Sequence, residues 1–232
     1  MKQAVVLAAG QGVRMLPLTK EIPKPLIEIN GKPFLEYLLR NLEKAGYEKV
    51  FLVVGYKKEK IEAFFEHTSF NFEVELVEQE ERFGTGHAVS LLKDKIKGNF
   101  VLLMGDNLYS EIDFAEVPLE DDNNYVYGYV HVNPKGFGIL VHEEDLLIEI
   151  QEKPEISPSN IINVALYKFT NEIFDVLTNI EKSSRGEFEL TCGVNLLAKQ
   201  KKVKMSLLKD YWLNLGVPAD IPILMQFVKN NF

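Results

Sequence analysis

Short unbroken apolar runs alternate along this chain with stretches in which apolar residues recur at helical spacing. Ala4-Val5-Val6-Leu7-Ala8-Ala9 is continuously apolar and partly β-branched, the pattern of a strand buried on both faces of a parallel sheet. Pro33 then opens a helix whose apolar face is Phe34, Leu35, Leu38, Leu39, Leu42 and Ala45, and Gly46 stops it. Lys49 to Gly55 reads as a second buried strand and Lys57 to His67 as a charged surface helix. Glu73 to Glu78 alternates as a strand. Ala88, Val89, Leu91, Leu92 and Ile96 mark an amphipathic helix, and Phe100 to Met104 another buried strand. From Asn124 to Tyr167 the pattern changes to alternating strands at Tyr125 to Val132, Gly138 to Val141 and Leu147 to Gln151. A last helix, from Pro218 to about Val228, carries Ile221, Leu224, Met225 and Val228 as core or as a subunit contact of a homo-oligomer. This order predicts an α/β, doubly wound, Rossmann-like fold, a single domain over 1–232, with ligands at the carboxyl ends of the strands.

The first such end is Gly10-Gln11-Gly12, where glycines let the backbone take positive φ and aim several N–H groups at one point, as phosphate cradles do. Arg14 and Lys24 add positive charge on a segment stiffened by Pro17, Pro23 and Pro25. A dinucleotide-binding turn would want a third glycine where Met15 stands, and a P-loop would need a following Gly-Lys-Ser/Thr; neither is present. A polyphosphate site is therefore expected, against the plain alternative of a strand-to-loop turn.

LAAGQGVRM-PLT-EIPKPL closely resembles the opening signature of the sugar-1-phosphate nucleotidyltransferases, which make nucleotide sugars from a nucleoside triphosphate and a sugar phosphate. The resemblance runs from Val5 to Pro218 and is strongest in the first 110 residues. It implies the mixed sheet of the nucleotide-diphospho-sugar transferase type, with a nucleotide-binding half over 1–110 and a sugar-binding β half plus C-terminal helix over 111–232. It makes Leu7, Ala8, Ala9, Gly10 and Gly12 nucleotide-binding, with the glycine-rich loop holding the triphosphate, and makes Arg14 and Lys24 the cations of transfer. Gln79 through Ala88, with Gly84-Thr85-Gly86-His87-Ala88, resembles the base-recognition segment, leaning to the uridylyltransferase branch. A glutamine amide pairs with a pyrimidine edge, and the glycines admit a close base; Thr85 can also serve simply as a helix N-cap. Asp106, just past a buried strand, matches the metal aspartate, and Asn214 in Trp212-Leu213-Asn214-Leu215-Gly216-Val217-Pro218 stands where many members carry aspartate. Mg²⁺ is the implied cofactor. Gly138, Glu152 and Asn163 are the implied sugar contacts and Lys153 the implied cation for the sugar phosphate; many members have glycine at Ala165 and aspartate at Cys192. Cys192 has no histidine or cysteine nearby in sequence and reads as a buried small residue, not a catalytic thiol.

Composition narrows the classes. A net charge of −8 argues against nucleic acid or an anionic membrane surface as the main partner. No run approaches a bilayer span and no signal-peptide pattern precedes the first strand, so a cytoplasmic protein is expected. A single cysteine excludes an internal disulfide, and four scattered histidines have no zinc-ligand spacing. No hexapeptide repeats follow the last helix, so no left-handed β-helix module is expected.

The implied chemistry needs no general base, because the nucleophile is an already ionised phosphate oxygen; alignment and charge neutralisation suffice. UTP is favoured with dTTP next, and glucose-1-phosphate is the favoured acceptor. The alternatives are a non-catalytic nucleotide-sugar sensor, motivated by Asn214, Ala165 and Cys192, and a CTP-dependent enzyme for a non-hexose phosphate.

Overall fold

The apolar runs become strands and the periodic stretches become helices in the computed structural model, which describes residues 1–183 and 185–232. The chain begins on β1 (Gln3–Leu7), crosses a loop of short 3-10 turns, and makes the two-residue ladder of β2 (Glu28–Ile29) and β3 (Lys32–Pro33). Helix α1 (Phe34–Lys44), β4 (Lys49–Val54), α2 (Lys58–His67) and β5 (Glu73–Glu78) follow. Then come α3 (Thr85–Ser90), β6 (Phe100–Met104), β7 (Asn107–Tyr109) and α4 (Glu111–Ala115). The alternating region gives β8 (Asn124–Val130), β9 (Gly138–Glu143), β10 (Leu146–Glu152) and β11 (Ile161–Phe169). The chain closes with α5 (Glu172–Leu177), α6 (Leu190–Lys199), β12 (Val203–Leu207), β13 (Trp212–Asn214) and α7 (Ile221–Asn231). Among the described residues no helix is long and apolar enough to cross a membrane.

The residues group into two compact units. The first comprises Met1–Glu80, Met104–Glu116 and Asp210–Phe232, and the second Glu81–Leu103 and Val117–Lys209. The C-terminal segment groups with the first unit, where β13 pairs antiparallel with β7, Asn214 opposite Asn107.

In the first unit β1, β4 and β5 are parallel neighbours, Val5 opposite Phe51 and Phe51 opposite Glu75. Parallel neighbours need crossovers, which α1 and α2 supply. Helix α1 forms where its apolar stripe was read: Pro33 stands at the N-cap and Phe34, Leu35, Leu38, Leu39 and Leu42 are fully buried. Gly46 ends the turn at φ 77°, a conformation cheap only for glycine. A fully buried leucine of this kind contributes about 2 kcal/mol by transfer alone.

The second unit has the strand order β6-β11-β8-β12-β10-β9. All its neighbours are antiparallel except β8 and β12. Strand β9 also pairs with β11 through Ile139 and Ile162, so β11, β8, β12, β10 and β9 close into a ring. Helix α6 packs on β10, and α3 and α5 pack on α6. The helix expected to run to Ile96 is shorter: α3 ends at Ser90 and the chain turns through Leu91 to Lys95, although Ala88, Val89, Leu92 and Ile96 are still buried. A succession of turns with 3-10 character presents the same apolar residues inward, so the pattern fixed burial and not helix length. The strand expected to reach Val132 stops at Val130; Val132 is fully exposed.

Candidate functional site

The glycine-rich loop is held at its rim and open in its middle. Leu7 and Ala8 are fastened to neighbouring strand ends: Ala8 N donates to Val53 O (2.8 Å) and Gly105 N to Leu7 O (2.9 Å). Tyr56 N donates to Ala9 O (3.1 Å), while its hydroxyl donates to Thr19 O (2.9 Å). Thr19, fully buried, donates Oγ1 to Gly12 O (2.9 Å). The backbone N–H groups of Gly10, Gln11, Gly12, Val13 and Arg14, in contrast, have no hydrogen-bond partner among the described residues. A run of unpaired donors on one short loop is an anion cradle. Of the two glycines only Gly12 takes positive φ (66°); a Cβ there would lie 3.0 Å from Thr19 Cγ2 and from Lys24 Cβ. Gly10 corrects the expectation for the pair: its φ is not positive, and a Cβ on it would meet open space.

Arg14 is exposed and makes no hydrogen bond or ion pair with another described residue. Lys24 behaves differently. It is buried, and its Nζ lies 2.5 Å from Asp106 Oδ2. The other carboxylate oxygen, Oδ1, accepts from Asn107 Nδ2 at 3.2 Å, and Asn107 Oδ1 accepts from Trp212 Nε1 at 3.0 Å. Leu215 N donates to Asp106 O (2.8 Å), bringing the Asn214 segment beside Asp106. Gly216 explains itself here: a Cβ would fall 2.6 Å from Asn214 Oδ1, and its N–H donates to Asp220 Oδ2 (2.7 Å). One carboxylate and one amide oxygen, both hard donors, suit a Mg²⁺ ion that completes its shell with water and phosphate. Among the described residues no group of three or more acidic, histidine or cysteine side chains could hold a metal by itself. Gln79 lies at the end of β5, buried, with its N–H on Val54 O (2.8 Å).

In the second unit, Gly138 and Glu152 are register partners on β9 and β10, and Ile139 pairs with Ile162 next to Asn163. The three expected sugar contacts therefore come together: a Cβ on Gly138 would lie 3.4 Å from Glu152 Oε1 and 3.5 Å from Asn163 Cβ. Lys153 follows at φ 45°, exposed. Beside them opens a cleft of about 350 Å³ lined by Glu152, Lys153, Arg185, Glu189, Thr191 and Cys192, among others. Arg185 grips Glu189 with two bonds, Nε to Oε1 at 2.9 Å and an NH2 to Oε2 at 2.5 Å. That hydrogen bonding holds the Glu189 carboxyl below its ordinary range against the opposing effect of burial, and raises Arg185. Cys192 is half-buried instead of fully buried, because it lies on the turn of α6 that lines this cleft. Burial, with Glu189 and Glu152 adding to it, pushes its thiol up, consistent with a non-nucleophilic role.

The Gly84-Thr85-Gly86 run approaches protein closely. A Cβ on Gly84, at φ 109°, would lie 2.6 Å from Phe188 O, and Gly86 N donates to that oxygen at 2.7 Å. Thr85 does not cap the helix: Gly84 is the N-cap, and Thr85 Oγ1 accepts from Leu190 N (2.9 Å). A Gly84→Ala substitution is accordingly expected to lower stability by about 2–3 kcal/mol, measured by urea titration, since it combines a left-handed φ with a backbone clash. Sequence reasoning missed Thr19, Tyr56 and Tyr167; the only signal for Tyr56 is its place just after Gly55, at the carboxyl end of a buried strand.

Comparison with known proteins adds the relationship. The family model for nucleotidyl transferases matches residues 3–231. The bifunctional protein GlmU of Methanococcus aeolicus is 38% identical over 219 residues, 94% of this chain and 52% of that protein. This chain thus spans about half the length of the GlmU relatives it matches. The UTP–glucose-1-phosphate uridylyltransferase AglF of Haloferax volcanii is 34% identical over 225 residues, 94% of this chain and 93% of that one. A crystal structure of UDP-glucose pyrophosphorylase complexed with UDP-glucose superimposes with a TM-score of 0.89 at 23% identity, over all of both chains, which supports the fold. With a matching family model over almost its whole length and a relative of AglF's similarity and extent, the chain belongs to the nucleotidyl transferase family.

Proposed function

We propose that this protein joins a nucleoside triphosphate, UTP by preference and dTTP next, to a sugar-1-phosphate, glucose-1-phosphate by preference, giving a nucleotide sugar and pyrophosphate. The observation that carries the reading is the run of five backbone N–H groups, Gly10 to Arg14, that have no partner among the described residues, with the Arg14 side chain likewise unpaired among them and Lys24 paired to Asp106. AglF's name supports the choice of substrates.

The chemistry is a substitution at the α-phosphorus. An ionised phosphate oxygen of the sugar phosphate forms the new P–O bond, the bond to the β-phosphate oxygen breaks, and pyrophosphate leaves with that electron pair. No proton has to move at the nucleophile, so the protein's work is alignment and charge neutralisation. The loop N–H groups and Arg14 bind the triphosphate, Gln79 reads the base, and Glu152 and Asn163 hold sugar hydroxyls. Lys153 holds the sugar phosphate. Asp106 and Asn214 would hold Mg²⁺, which supplies charge neutralisation at the reacting phosphates. Lys24 keeps Asp106 oriented and offsets its charge.

The test is pyrophosphate release with Mg²⁺ over UTP, dTTP, CTP and ATP against glucose-1-phosphate, N-acetylglucosamine-1-phosphate and mannose-1-phosphate. The highest rate is expected for UTP with glucose-1-phosphate. A different bright pair would change the substrates, and nucleotide binding without turnover on any pair would favour a sensor. In the same assay Gly216→Ala is expected to raise the half-saturating Mg²⁺ concentration roughly tenfold, because its methyl displaces Asn214 Oδ1. An unchanged Mg²⁺ dependence would remove Asn214 from the metal site.

A further inference from the structure

We propose that Tyr167 is a positioning residue for sugar recognition, orienting the Asn163 side-chain amide through a bulge in β11; the inference rests on the reading of Asn163 as a sugar contact. In an unbroken strand, residues four apart are separated by about 13 Å. Strand β11 is not unbroken: Asn163 pairs with Gly128 and Tyr167 with Val126, so four steps on β11 match two on β8. The slack is taken up around Ala165, which adopts φ 57° within the strand, a left-handed conformation that costs a residue bearing a Cβ. The result is a direct contact. Asn163 Nδ2 donates to Tyr167 Oη at 2.7 Å, and Ala165 N donates to Asn163 Oδ1 at 2.9 Å.

Both ends of the amide are thereby fixed. The oxygen faces a backbone donor and the nitrogen faces the phenol, leaving one N–H and one acceptor lone pair of known placement for a ligand. Tyr167 is 1% exposed and cannot itself be a broad contact surface. Burial raises its phenol well above the ordinary value, and the Glu152 carboxylate adds to that shift, so the group is a neutral hydroxyl at any working pH. A strained alanine and a buried tyrosine hydroxyl are thus both spent on the orientation of one amide.

The experiment is a double-mutant cycle of Tyr167→Phe and Asn163→Ala, with KM for glucose-1-phosphate, KM for UTP, kcat and the melting temperature of each variant; if another substrate pair proves faster, that pair is the probe. Asn163→Ala is expected to raise KM for the sugar phosphate at least tenfold. Tyr167→Phe should raise the same KM roughly 3–10-fold while leaving KM for the nucleotide unchanged, and should add nothing on top of Asn163→Ala. Three results overturn the proposal: an unchanged sugar-phosphate KM in Tyr167→Phe, a full additional effect in the double variant, or parallel rises in both KM values with a lowered melting temperature. No change in Asn163→Ala would instead overturn the sugar reading of Asn163, and the proposal with it.

Discussion

Asp106→Ala is expected to reduce kcat at least roughly 10²-fold, the scale on which removing one charge-stabilising element of a transition state is felt. The residue has two tasks, and the substitution ends both. Its carboxylate is the only charged oxygen of the proposed metal pair, the other being the neutral amide of Asn214. It is also the counter-charge of Lys24, whose ammonium is 2.5 Å away and whose side chain is only 9% exposed. Removing it strands a nearly buried cation, an effect worth several kcal/mol for a fully buried pair and about 2 kcal/mol here, since the Asp106 side chain is 29% exposed. Asp106→Asn separates the two tasks: it keeps an acceptor for Lys24 and so recovers most of the stability, while turnover stays low. Steady-state kinetics and urea titration of both variants check this, and near-normal kcat in either would remove Asp106 from the chemistry.

The largest expected effect on stability lies away from both sites. Lys168 is completely buried, and its Nζ donates to Asp121 O (2.5 Å), Asp121 Oδ1 (3.0 Å) and Asn123 O (2.6 Å). Lys168→Met leaves the two carbonyls without their donor and a carboxylate without its cation, and is expected to cost about 3–5 kcal/mol in a urea titration, a large part of a domain's usual stability. The pH dependence has a definite sign. Burial pushes the Asp121 carboxyl up, but hydrogen bonds from Tyr125, Lys168 and Asn123 outweigh it and hold it at about 2, against an ordinary 3.8. A carboxyl lowered on folding contributes stability that is fully present above its unfolded pKa and is lost as pH falls through its folded one. The stability difference between wild type and Asp121→Asn should therefore be constant above about pH 5 and shrink between about pH 4 and pH 2. A difference that persists at pH 2 would show that the carboxylate's charge is not what matters.

Elements whose signal is local were legible. Strand β1, helix α1 and strands β4, β5 and β6 fall within a residue or two of the positions that apolar runs, Pro33 and Gly46 indicate, because burial and capping act over neighbouring residues. The glycine loop, Asp106 and the Glu152-Lys153 corner are candidates that the motifs supply. What stayed hidden depends on contacts far along the chain. Nothing near Lys24 announces that it reaches Asp106, and nothing near Thr85 announces that its hydroxyl serves Leu190 instead of its own helix. Nothing near Lys168 announces that its ammonium is capped by the Asp121-Asn123 segment. The bulge at Ala165 was visible only as an alanine where the resemblance favours glycine; the positive φ supplies the physical meaning, and the Asn163–Tyr167 contact the consequence.

The measurement that tests the central claim most directly is phosphorus NMR of the purified protein with UTP, glucose-1-phosphate and Mg²⁺. The expected result is equimolar growth of a nucleotide-sugar diphosphate and of pyrophosphate, stopped by a chelator and absent in Asp106→Asn. Release of inorganic phosphate without a sugar product, or an unchanged spectrum with every sugar phosphate although UTP binds, would contradict it.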